Sequence, residues 1–314
     1  MLKNKNDIVI SIIIVSYNNF DILKRCLKSI YKYLTTIDFE IIVVDNNSVE
    51  NGLDETIDGY PNIVVIQNKE NKGFAKANNQ GVNIAQGENI LLLNNDTEFL
   101  DDPISEILTY VKDSIKPIIG AAKLLNIDMT YQPSAYKFPT IWRLFSSNFF
   151  FEKLFKRTPL FNKYYLDIEN EKSPQIVNSV IGAFMLMKKK TYKELGGFDE
   201  SFFFYHEDTD LCYRLANFGG ETIYFPHLSL IHVGGGSTKH IKWFQLKNKV
   251  IARFKFFYKH HTFPYYVIAL ALEYSGNLVR AMIYILLGIL TFKKENFESA
   301  LYFLKTLSLS RKSL

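Results

Sequence analysis

The stretch that decides the fold is ENILLLNNDTEFL, residues 88–100. Its apolar run ILLL (90–93) has the composition of a strand buried on both faces, and it stops abruptly at the polar triplet NND (94–96). Short polar side chains at the end of a strand are typical of a simple turn. Whether the triplet is a turn or part of a binding site depends on the strands around it.

Strand and helix signals alternate along the first hundred residues. Strands are predicted for IVISIIIVSY (8–17), FEIIVVDNN (39–47) and NIVVIQN (62–68). Apolar residues at helical spacing follow the first strand, and they recur over residues 74–85. This order predicts an α/β protein with a mostly parallel, doubly wound sheet.

Three of these strands end in polar clusters, within the motifs VSYNN, VVDNNS and LLLNNDT. The carboxyl ends of parallel strands meet at one edge of a sheet, and ligands bind at that edge. The three endings therefore predict a site rather than three separate turns. No GxGxxG motif follows the first strand, which disfavours a dinucleotide site.

Charge and cysteine content narrow the classes of function. Residues 239–314 hold 13 Lys and Arg against 3 Asp and Glu, whereas the rest of the chain is acidic. Such a tail favours an anionic partner, either lipid headgroups or nucleic acid. Two cysteines without metal-binding spacing, and no signal-peptide cleavage site, are typical of a cytoplasmic protein.

An ordered series of motifs runs from about residue 9 to 238: SIIIVSYNN, IIVVDNNS, NKGFAKANNQG, LLLNNDT, GAFMLMKK, LGGFDESFFFYHEDTDLCYRL and HVGGGST. In this order and spacing the chain resembles the inverting family 2 glycosyltransferases of GT-A fold, most closely their rhamnosyltransferase-like branch. The resemblance implies a GT-A catalytic domain over 1–238. Residues 239–314, which it does not cover, are predicted from their own pattern to form a basic and apolar helical C-terminal region.

The same resemblance implies a metal-dependent hexosyltransferase in cell-surface polysaccharide synthesis. The donor would be a nucleotide diphosphate-sugar, UDP- or dTDP-linked, and the acceptor a hydroxyl of a glycan or lipid-linked substrate. A nucleotidyltransferase is one alternative, but VSYNNFDILKRC lacks the phosphate loop that it would need. An inactive nucleotide-sugar-binding or membrane scaffold protein is another.

The strand ends supply candidate donor-binding residues. Asp45 is placed to accept the N3–H of a pyrimidine base, and Tyr17 to pack against that base. Lys72 and Gly73 precede a helix whose first N–H groups favour phosphate, and the resemblance sets this loop beside the nucleotide. Ordinary packing is the alternative for Tyr17, and a solvated lysine the alternative for Lys72.

A divalent cation, Mn²⁺ or Mg²⁺, is expected at the end of the opening strand. The family's usual Asp-X-Asp pattern begins here with Asn94, a weaker, neutral ligand, so a metal depends on the hard oxygen of Asp96. Asn94 and Asp96 are both expected among the residues that bind the nucleotide-sugar. The resemblance adds His232 as a ligand, and an imidazole favours Mn²⁺ over Mg²⁺. The alternative for His232 is a hydrogen-bonded histidine at a strand end. Asn94 favours the inactive scaffold, whereas the intact Asp96, His232 and Asp208 argue against it.

Glu207 and Asp208 are the candidate catalytic acids. Inverting transfer needs one carboxylate to take the acceptor's proton. The resemblance assigns this base to Asp208, with Glu207 orienting either Asp208 or the acceptor. Compensation of a helix dipole is the alternative for both. Gly182 and Ala183 are expected on the acceptor side, where small residues permit close approach.

The C-terminal region predicts two helices. Five apolar residues recur at helical spacing beside Lys and Arg, which is typical of a helix lying on an anionic membrane: Trp243, Leu246, Val250, Phe254 and Phe257. In the next segment four polar residues form a narrow stripe: Glu273, Asn277, Arg280 and Tyr284.

In-plane attachment to the inner face of the cell membrane is favoured for this region. The uncharged run 281–292 is shorter than the roughly 20 residues of a membrane span. Docking on the catalytic domain, or a homodimer through these helices, is the alternative. Nucleic acid is not expected as a partner, because no recognised binding motif surrounds the apolar stripe.

Overall fold

The computed structural model describes residues 8–155, 158, 161, 166–234 and 242–309. The chain divides into two compact units, which we call the sheet unit (1–137, 165–203 and 207–237) and the helical unit (138–164, 204–206 and 238–314). The predicted domain boundary at residue 238 lies outside the described residues and stays a prediction.

Strands in the described part of the chain all belong to the sheet unit. They are β1 (Ile10–Ser16), β2 (Phe39–Asp45), β3 (Ile63–Gln67), β4 (Asn89–Asn94), β5 (Thr97–Phe99), β6 (Ile118–Leu125), β7 (Tyr131–Gln132), β8 (Ala135–Tyr136), β9 (Gln175–Val177), β10 (Ser179–Val180), β11 (Phe184–Lys188) and β12 (Glu221–His232).

Helices occur in both units. In chain order they are α1 (Phe20–Tyr33), α2 (Leu53–Ile57), α3 (Phe74–Ile84), α4 (Ser105–Asp113), α5 (Ile141–Asn148), α6 (Phe151–Leu154), α7 (Lys189–Glu194), α8 (Glu207–Asn217), α9 (Lys242–His260), α10 (Phe263–Thr291) and α11 (Lys294–Thr306). The helical unit contains α5, α6, α9, α10 and α11.

One mixed sheet organises the sheet unit, with strand order β3-β2-β1-β4-β11-β6-β12-β5. β1 pairs in parallel with β2 and β4, β2 with β3, and β6 with β12, whereas β11 is antiparallel to both its neighbours. Ile12, Ile13 and Ile14 are all fully buried, so both faces of β1 are covered. The predicted α/β class with a mostly parallel, doubly wound sheet is confirmed.

The polar clusters after β1, β2 and β4 meet at one edge of this sheet. Ser16 is in register with Asp45, and the Asn46 N–H donates to the Ser16 carbonyl at 2.8 Å. Asn95, which follows β4, donates from Nδ2 to Ser16 Oγ at 3.3 Å. The convergence expected from the sequence therefore holds, because the strand register brings the three ends side by side.

The apolar stripe of α9 forms the core of the helical unit. Val250, Phe254 and Phe257 are buried in one cluster with Leu144 of α5 and with Tyr266 of α10. The expectation that this stripe lies on a membrane is therefore wrong for these three residues of α9, because protein already covers their side chains, while Trp243 and Leu246 are half-buried.

The polar stripe of α10 also faces protein. The Glu273 and Asn277 side chains are buried, and Glu273 Oε2 lies 3.0 Å from Arg253 Nη1 of α9. Arg280 donates from Nη1 to Asn148 Oδ1 of α5 at 3.0 Å. These contacts hold α10 against α5 and α9 by its polar side.

The outward side of α10 is apolar. Between Val267 and Leu290 every exposed residue of this helix is aliphatic or methionine, and the exposed Lys293 and Lys294 follow its end. Among the described helices, α10 is long and apolar enough to cross a membrane, and 22% of its most apolar stretch is buried in the protein. We call this outward side the α10 face.

Candidate active site

Asp96 and His232 lie together at the edge where β4 ends. His232 Nε2 is 3.2 Å from Asp96 Oδ1 and 3.2 Å from Asn94 Nδ2. The Val233 N–H donates to the Asp96 carbonyl at 2.9 Å, so the backbone holds the end of β12 beside the β4 turn. The structure thus brings together Asp96 and His232, the two predicted metal ligands, with Asn94, a predicted donor-binding residue.

The surroundings of this pair suit a divalent cation. Asp96 Oδ2 accepts the Gly234 N–H at 3.1 Å, and His232 Nδ1 lies 2.6 Å from Gln132 Oε1, which leaves Asp96 Oδ1 and His232 Nε2 facing each other. A carboxylate oxygen and an imidazole nitrogen are ligands that Mn²⁺ accepts. Within the described residues no group of three or more His, Cys, Asp or Glu could hold a metal, so a cation bound to Asp96 and His232 would need further ligands of another kind, such as an amide, the substrate or water.

Gln132 is a site residue that the sequence reasoning misses. It lies on β7, which pairs with β6, and it reaches His232 across 100 residues of chain. A glutamine in a two-residue strand has no local pattern that distinguishes it from a surface residue. Only the tertiary pairing of β7 reveals the contact.

Asp45 occupies the end of β2 with its carboxylate held in place. Asp45 Oδ1 accepts hydrogen bonds from the Ser48 N–H (3.1 Å) and Ser48 Oγ (2.5 Å). Oδ2 accepts none from the described part of the chain, and it remains available to a donor such as a base N–H. Tyr17 directly follows the neighbouring strand β1 and is half-buried.

The Lys72–Gly73 loop is fastened to the end of β2 by Asn46. Asn46 Oδ1 accepts the Lys72 N–H at 3.0 Å, and its Nδ2 donates to Asn71 Oδ1 at 2.9 Å. Gly73 has a φ of +80°, and a Cβ there would lie 2.7 Å from the Phe203 carbonyl oxygen, so only glycine fits. Asn46 was not predicted as a site residue, because an asparagine after a strand is also typical of a turn.

Asp208 lies in the first turn of α8 and accepts three hydrogen bonds. The Gly182 N–H donates to its Oδ2 at 3.0 Å, while the Thr209 N–H (2.6 Å) and Thr209 Oγ1 (3.1 Å) donate to its Oδ1. Burial raises the pKa of Asp208, and these hydrogen bonds oppose part of that rise. The carboxyl is thereby shifted toward the range in which a general base works.

Gly182 and Ala183 connect Asp208 with the metal-site edge. The Ala183 carbonyl accepts the Asn94 N–H at 3.0 Å, while Gly182 contacts Asp208. A Cβ on Gly182 would lie 3.4 Å from the Phe74 ring and 3.6 Å from Asp208 Cβ. The predicted acceptor-side residues therefore lie between the predicted base and the predicted metal ligands.

Glu207 differs from its neighbour Asp208. Its side chain is buried, and Oε2 has no hydrogen-bond partner in the described residues. Burial, and then the carboxylate of Asp208, raises the pKa of Glu207 well above its ordinary value. Burial therefore favours the protonated form of Glu207, whereas hydrogen bonds favour the charged form of Asp208, and the sequence alone does not show this difference.

Residues 11–196 match the model of glycosyl transferase family 2. The chain is 26% identical over 245 residues to the N-acetylglucosaminyl-diphospho-decaprenol L-rhamnosyltransferase of Mycobacterium tuberculosis, covering 73% of this chain and 78% of the relative. It is 29% identical over 237 residues to rhamnosyltransferase WbbL of Escherichia coli K12, covering 71% and 83%.

Two solved structures share the fold. GalNAc-T7 with UDP, GalNAc and Mn²⁺ superimposes with a TM-score of 0.54 at 19% identity, and S. aureus TarS 1–349 with a TM-score of 0.51 at 15% identity. Each likeness covers 79% of this chain, which spans 48% and 64% of the respective solved chains. The GT-A type of fold is thereby confirmed.

Proposed function

The chain belongs to glycosyl transferase family 2, and on that basis we propose that it moves a sugar from a UDP- or dTDP-linked donor to a hydroxyl of a glycan or lipid-linked acceptor. The product would serve cell-surface polysaccharide synthesis. Two relatives named as rhamnosyltransferases support this, and the name of the mycobacterial one includes a diphospho-decaprenol acceptor.

The observation that carries the proposal is the contact path from Asp208 through Gly182 and Ala183 to Asn94. It joins a carboxylate of raised pKa to the strand edge where Asp96 lies. Asp208 takes the proton of the acceptor hydroxyl while that oxygen attacks the anomeric carbon and the diphosphate leaves. Because no enzyme nucleophile intervenes, the single displacement inverts the anomeric configuration.

The metal site would be formed by Asp96 and His232, with Asn94 as a weaker, neutral ligand. When bound, a divalent cation supplies positive charge that stabilises the departing diphosphate. The Mn²⁺ in the GalNAc-T7 structure supports a divalent ion at such a site, and the imidazole favours Mn²⁺ over Mg²⁺.

Donor and acceptor would be held by the remaining site residues. Asp45 Oδ2 accepts the N3–H of the pyrimidine, Tyr17 packs on the base, and Lys72 with the Gly73 turn faces the phosphates. Glu207 orients the acceptor, and in its protonated form, which burial favours, it does so as a hydrogen-bond donor.

A nucleotide-sugar assay separates this function from its alternatives. The protein is incubated with UDP- and dTDP-sugars in Mn²⁺ or in EDTA, and the released products are identified. We expect a nucleoside diphosphate and a free or transferred sugar in Mn²⁺, and neither in EDTA. Pyrophosphate release from a nucleoside triphosphate and a sugar phosphate would instead show a nucleotidyltransferase, and binding without turnover a scaffold.

We also propose a cytoplasmic location, with the α10 face lying on the inner surface of the cell membrane. The charged residues of α10 are turned toward protein, its exposed residues are apolar, and the basic Lys293 and Lys294 flank it. The alternative is that a second copy of the chain covers this face in a homodimer formed through the helical unit.

Vesicle binding tests the location. We expect the protein to sediment with phosphatidylglycerol vesicles, less so at high salt. A Leu286→Asp/Leu290→Asp variant should lose this binding, whereas Ile115→Asp, at an exposed position of the sheet unit, should keep it. Unchanged binding by the double variant, or a dimer in solution that this variant dissociates, would contradict the membrane proposal.

A further inference from the structure

We propose that Gln132 is a positioning residue that holds the neutral imidazole of His232 in its Nδ1-protonated tautomer. In this tautomer the Nε2 lone pair faces Asp96, where a metal ion can take it. The inference deepens the proposed function and rests on its metal site. It rests on which group donates and which accepts in a series of hydrogen bonds that joins His232 to Gln132, Asn126, Thr130 and Asp128, the last four in or next to β7.

The amide of Gln132 can be oriented without reference to the imidazole. Its Nε2 lies 3.3 Å from the His232 carbonyl oxygen and 3.1 Å from Asn126 Oδ1. A carbonyl oxygen only accepts hydrogen bonds, so the amide NH₂ must point toward it. Gln132 Oε1 therefore points at His232 Nδ1, 2.6 Å away.

The amide of Asn126 is oriented in turn by Thr130 and Asp128. Thr130 Oγ1 is 2.6 Å from Asp128 Oδ1, and hydrogen bonds from Thr130 lower the pKa of Asp128. An ionised carboxylate only accepts, so the Thr130 hydroxyl donates to it and accepts from Asn126 Nδ2 at 2.9 Å. Asn126 Oδ1 is left to accept from Gln132.

From donor to acceptor, these hydrogen bonds all run in one direction, from His232 at the metal site to Asp128. Nδ1 is therefore the ring nitrogen of a neutral His232 that carries the proton, because its acceptor, Gln132 Oε1, lies 2.6 Å away, whereas Asp96 Oδ1 lies 3.2 Å from Nε2 and Asn94 Nδ2 can donate to Nε2. Metal-binding histidines usually donate their second ring N–H to an oxygen, which fixes the tautomer and raises the basicity of the ligand. Asn126, Thr130 and Asp128 would support Gln132 in this role.

Nitrogen NMR of the metal-free protein reads the tautomer directly. Long-range ¹H–¹⁵N spectra at alkaline pH distinguish a protonated ring nitrogen from one with a lone pair. The signals of His232 are assigned by their loss in His232→Asn. We expect Nδ1 to carry the proton in the wild-type protein. A proton on Nε2 would overturn the proposal, and this measurement needs no Gln132 variant to fold.

A second measurement uses Mn²⁺ affinity, determined by calorimetry or electron paramagnetic resonance. Gln132→Leu removes the acceptor, so we expect Mn²⁺ binding to weaken about 10- to 100-fold and the Nδ1–H preference to disappear. Gln132→Glu keeps an oxygen acceptor and should retain most of the affinity. The matched control is Gln175→Leu, a half-buried glutamine of the same unit whose amide bonds Ser173.

The outcomes separate this proposal from the metal site itself. Wild-type affinity together with an unchanged His232 tautomer in Gln132→Leu would show that Gln132 positions nothing. If the wild-type protein binds no Mn²⁺ while the tautomer still depends on Gln132, the metal assignment fails and the positioning role stands. Equal losses in Gln132→Leu and Gln175→Leu would reduce the effect to general stability and overturn the proposal.

Discussion

Two buried glutamates show how differently the two units use the same side chain. Glu273 of the helical unit is 2% exposed, and its carboxylate contacts Arg253 and Asn277. Glu207 of the sheet unit is 6% exposed, and its Oε2 has no partner among the described residues. A buried acid whose partners come from its own chain serves the architecture, whereas one without them is a candidate for binding something else.

The same distinction applies to the neighbouring acids of the sheet unit. In both Asp45 and Asp96, one carboxylate oxygen accepts hydrogen bonds from the protein, from Ser48 and from the Gly234 N–H respectively. The other oxygen of each carboxylate faces the strand edge. Asp208 accepts three hydrogen bonds at the start of α8. Asp45, Asp96 and Asp208 are therefore fixed by hydrogen bonds without a cation beside them among the described residues, whereas Glu273 of the helical unit is paired with Arg253.

The largest expected effect comes from Asp96→Ala. Removing the hard oxygen ligand should abolish both sugar transfer and Mn²⁺-dependent donor binding, while the melting temperature changes little. Calorimetric titration of the donor in Mn²⁺ and in EDTA measures this. Asp113→Ala, at an exposed position on α4, is the control and should bind donor normally. Normal metal-dependent binding by Asp96→Ala would place the metal elsewhere.

Glu273→Gln should have the opposite profile, with activity kept and stability lost. The substitution removes the charge opposite Arg253, and a hydrogen bond to a charged group contributes about 1.5–3 kcal/mol. We expect the lower end of this range, because the Arg253 side chain is 26% exposed. Urea unfolding measures the loss. An unchanged unfolding free energy would show that the buried ion pair does not stabilise the helical unit.

Glu207→Gln should change stability with the opposite sign, in a pH-dependent way. Burial raises the pKa of Glu207 above its ordinary 4.5, so the folded state holds the proton more tightly than the unfolded chain. That stabilisation is complete below pH 4.5 and is lost as the pH rises through the raised pKa. Glutamine does not titrate, so at high pH the unfolding free energy of the variant should rise relative to that of the wild-type protein. The gain is about 1.4 kcal/mol for each pKa unit by which folding raises the pKa of Glu207.

Urea unfolding of both proteins at pH 4.5, 6 and 8 checks this sign. We expect the difference in unfolding free energy to shift in favour of Glu207→Gln as the pH rises. A difference that stays constant with pH would mean that Glu207 is ionised in the folded protein and has a partner. The contrast with Glu273 would then disappear.

The sequence predicts the sheet and its functional edge because both depend on local patterns. Continuous apolar strands, and the polar residues such as Asp45 and Asp96 that follow them, can be identified from the local sequence alone. Gln132 and Asn46 escape prediction because their roles depend on side-chain contacts with residues distant in the chain.

In the C-terminal region the sequence predicts a buried stripe correctly but assigns the wrong surface to cover it. The stripe that includes Val250 and Phe254 has the spacing of a membrane helix and also that of a core helix, and the pattern alone does not say which surface covers it. The orientation of Glu273 likewise depends on Arg253, 20 residues away on another helix. Periodicity predicts that a face is buried, and tertiary packing decides what buries it.

Asp208→Asn tests the central claim, that the Asp208 carboxylate is the general base that removes the proton from the acceptor hydroxyl. Asparagine keeps the size of the side chain and an oxygen for the Gly182 N–H, but it cannot take a proton. General-base catalysis is worth about 10²–10⁴ in rate, or roughly 3–5 kcal/mol of barrier. We predict that transfer falls by that factor while donor affinity and melting temperature stay near the wild-type values. A folded Asp208→Asn protein that transfers sugar at half the normal rate would contradict the account.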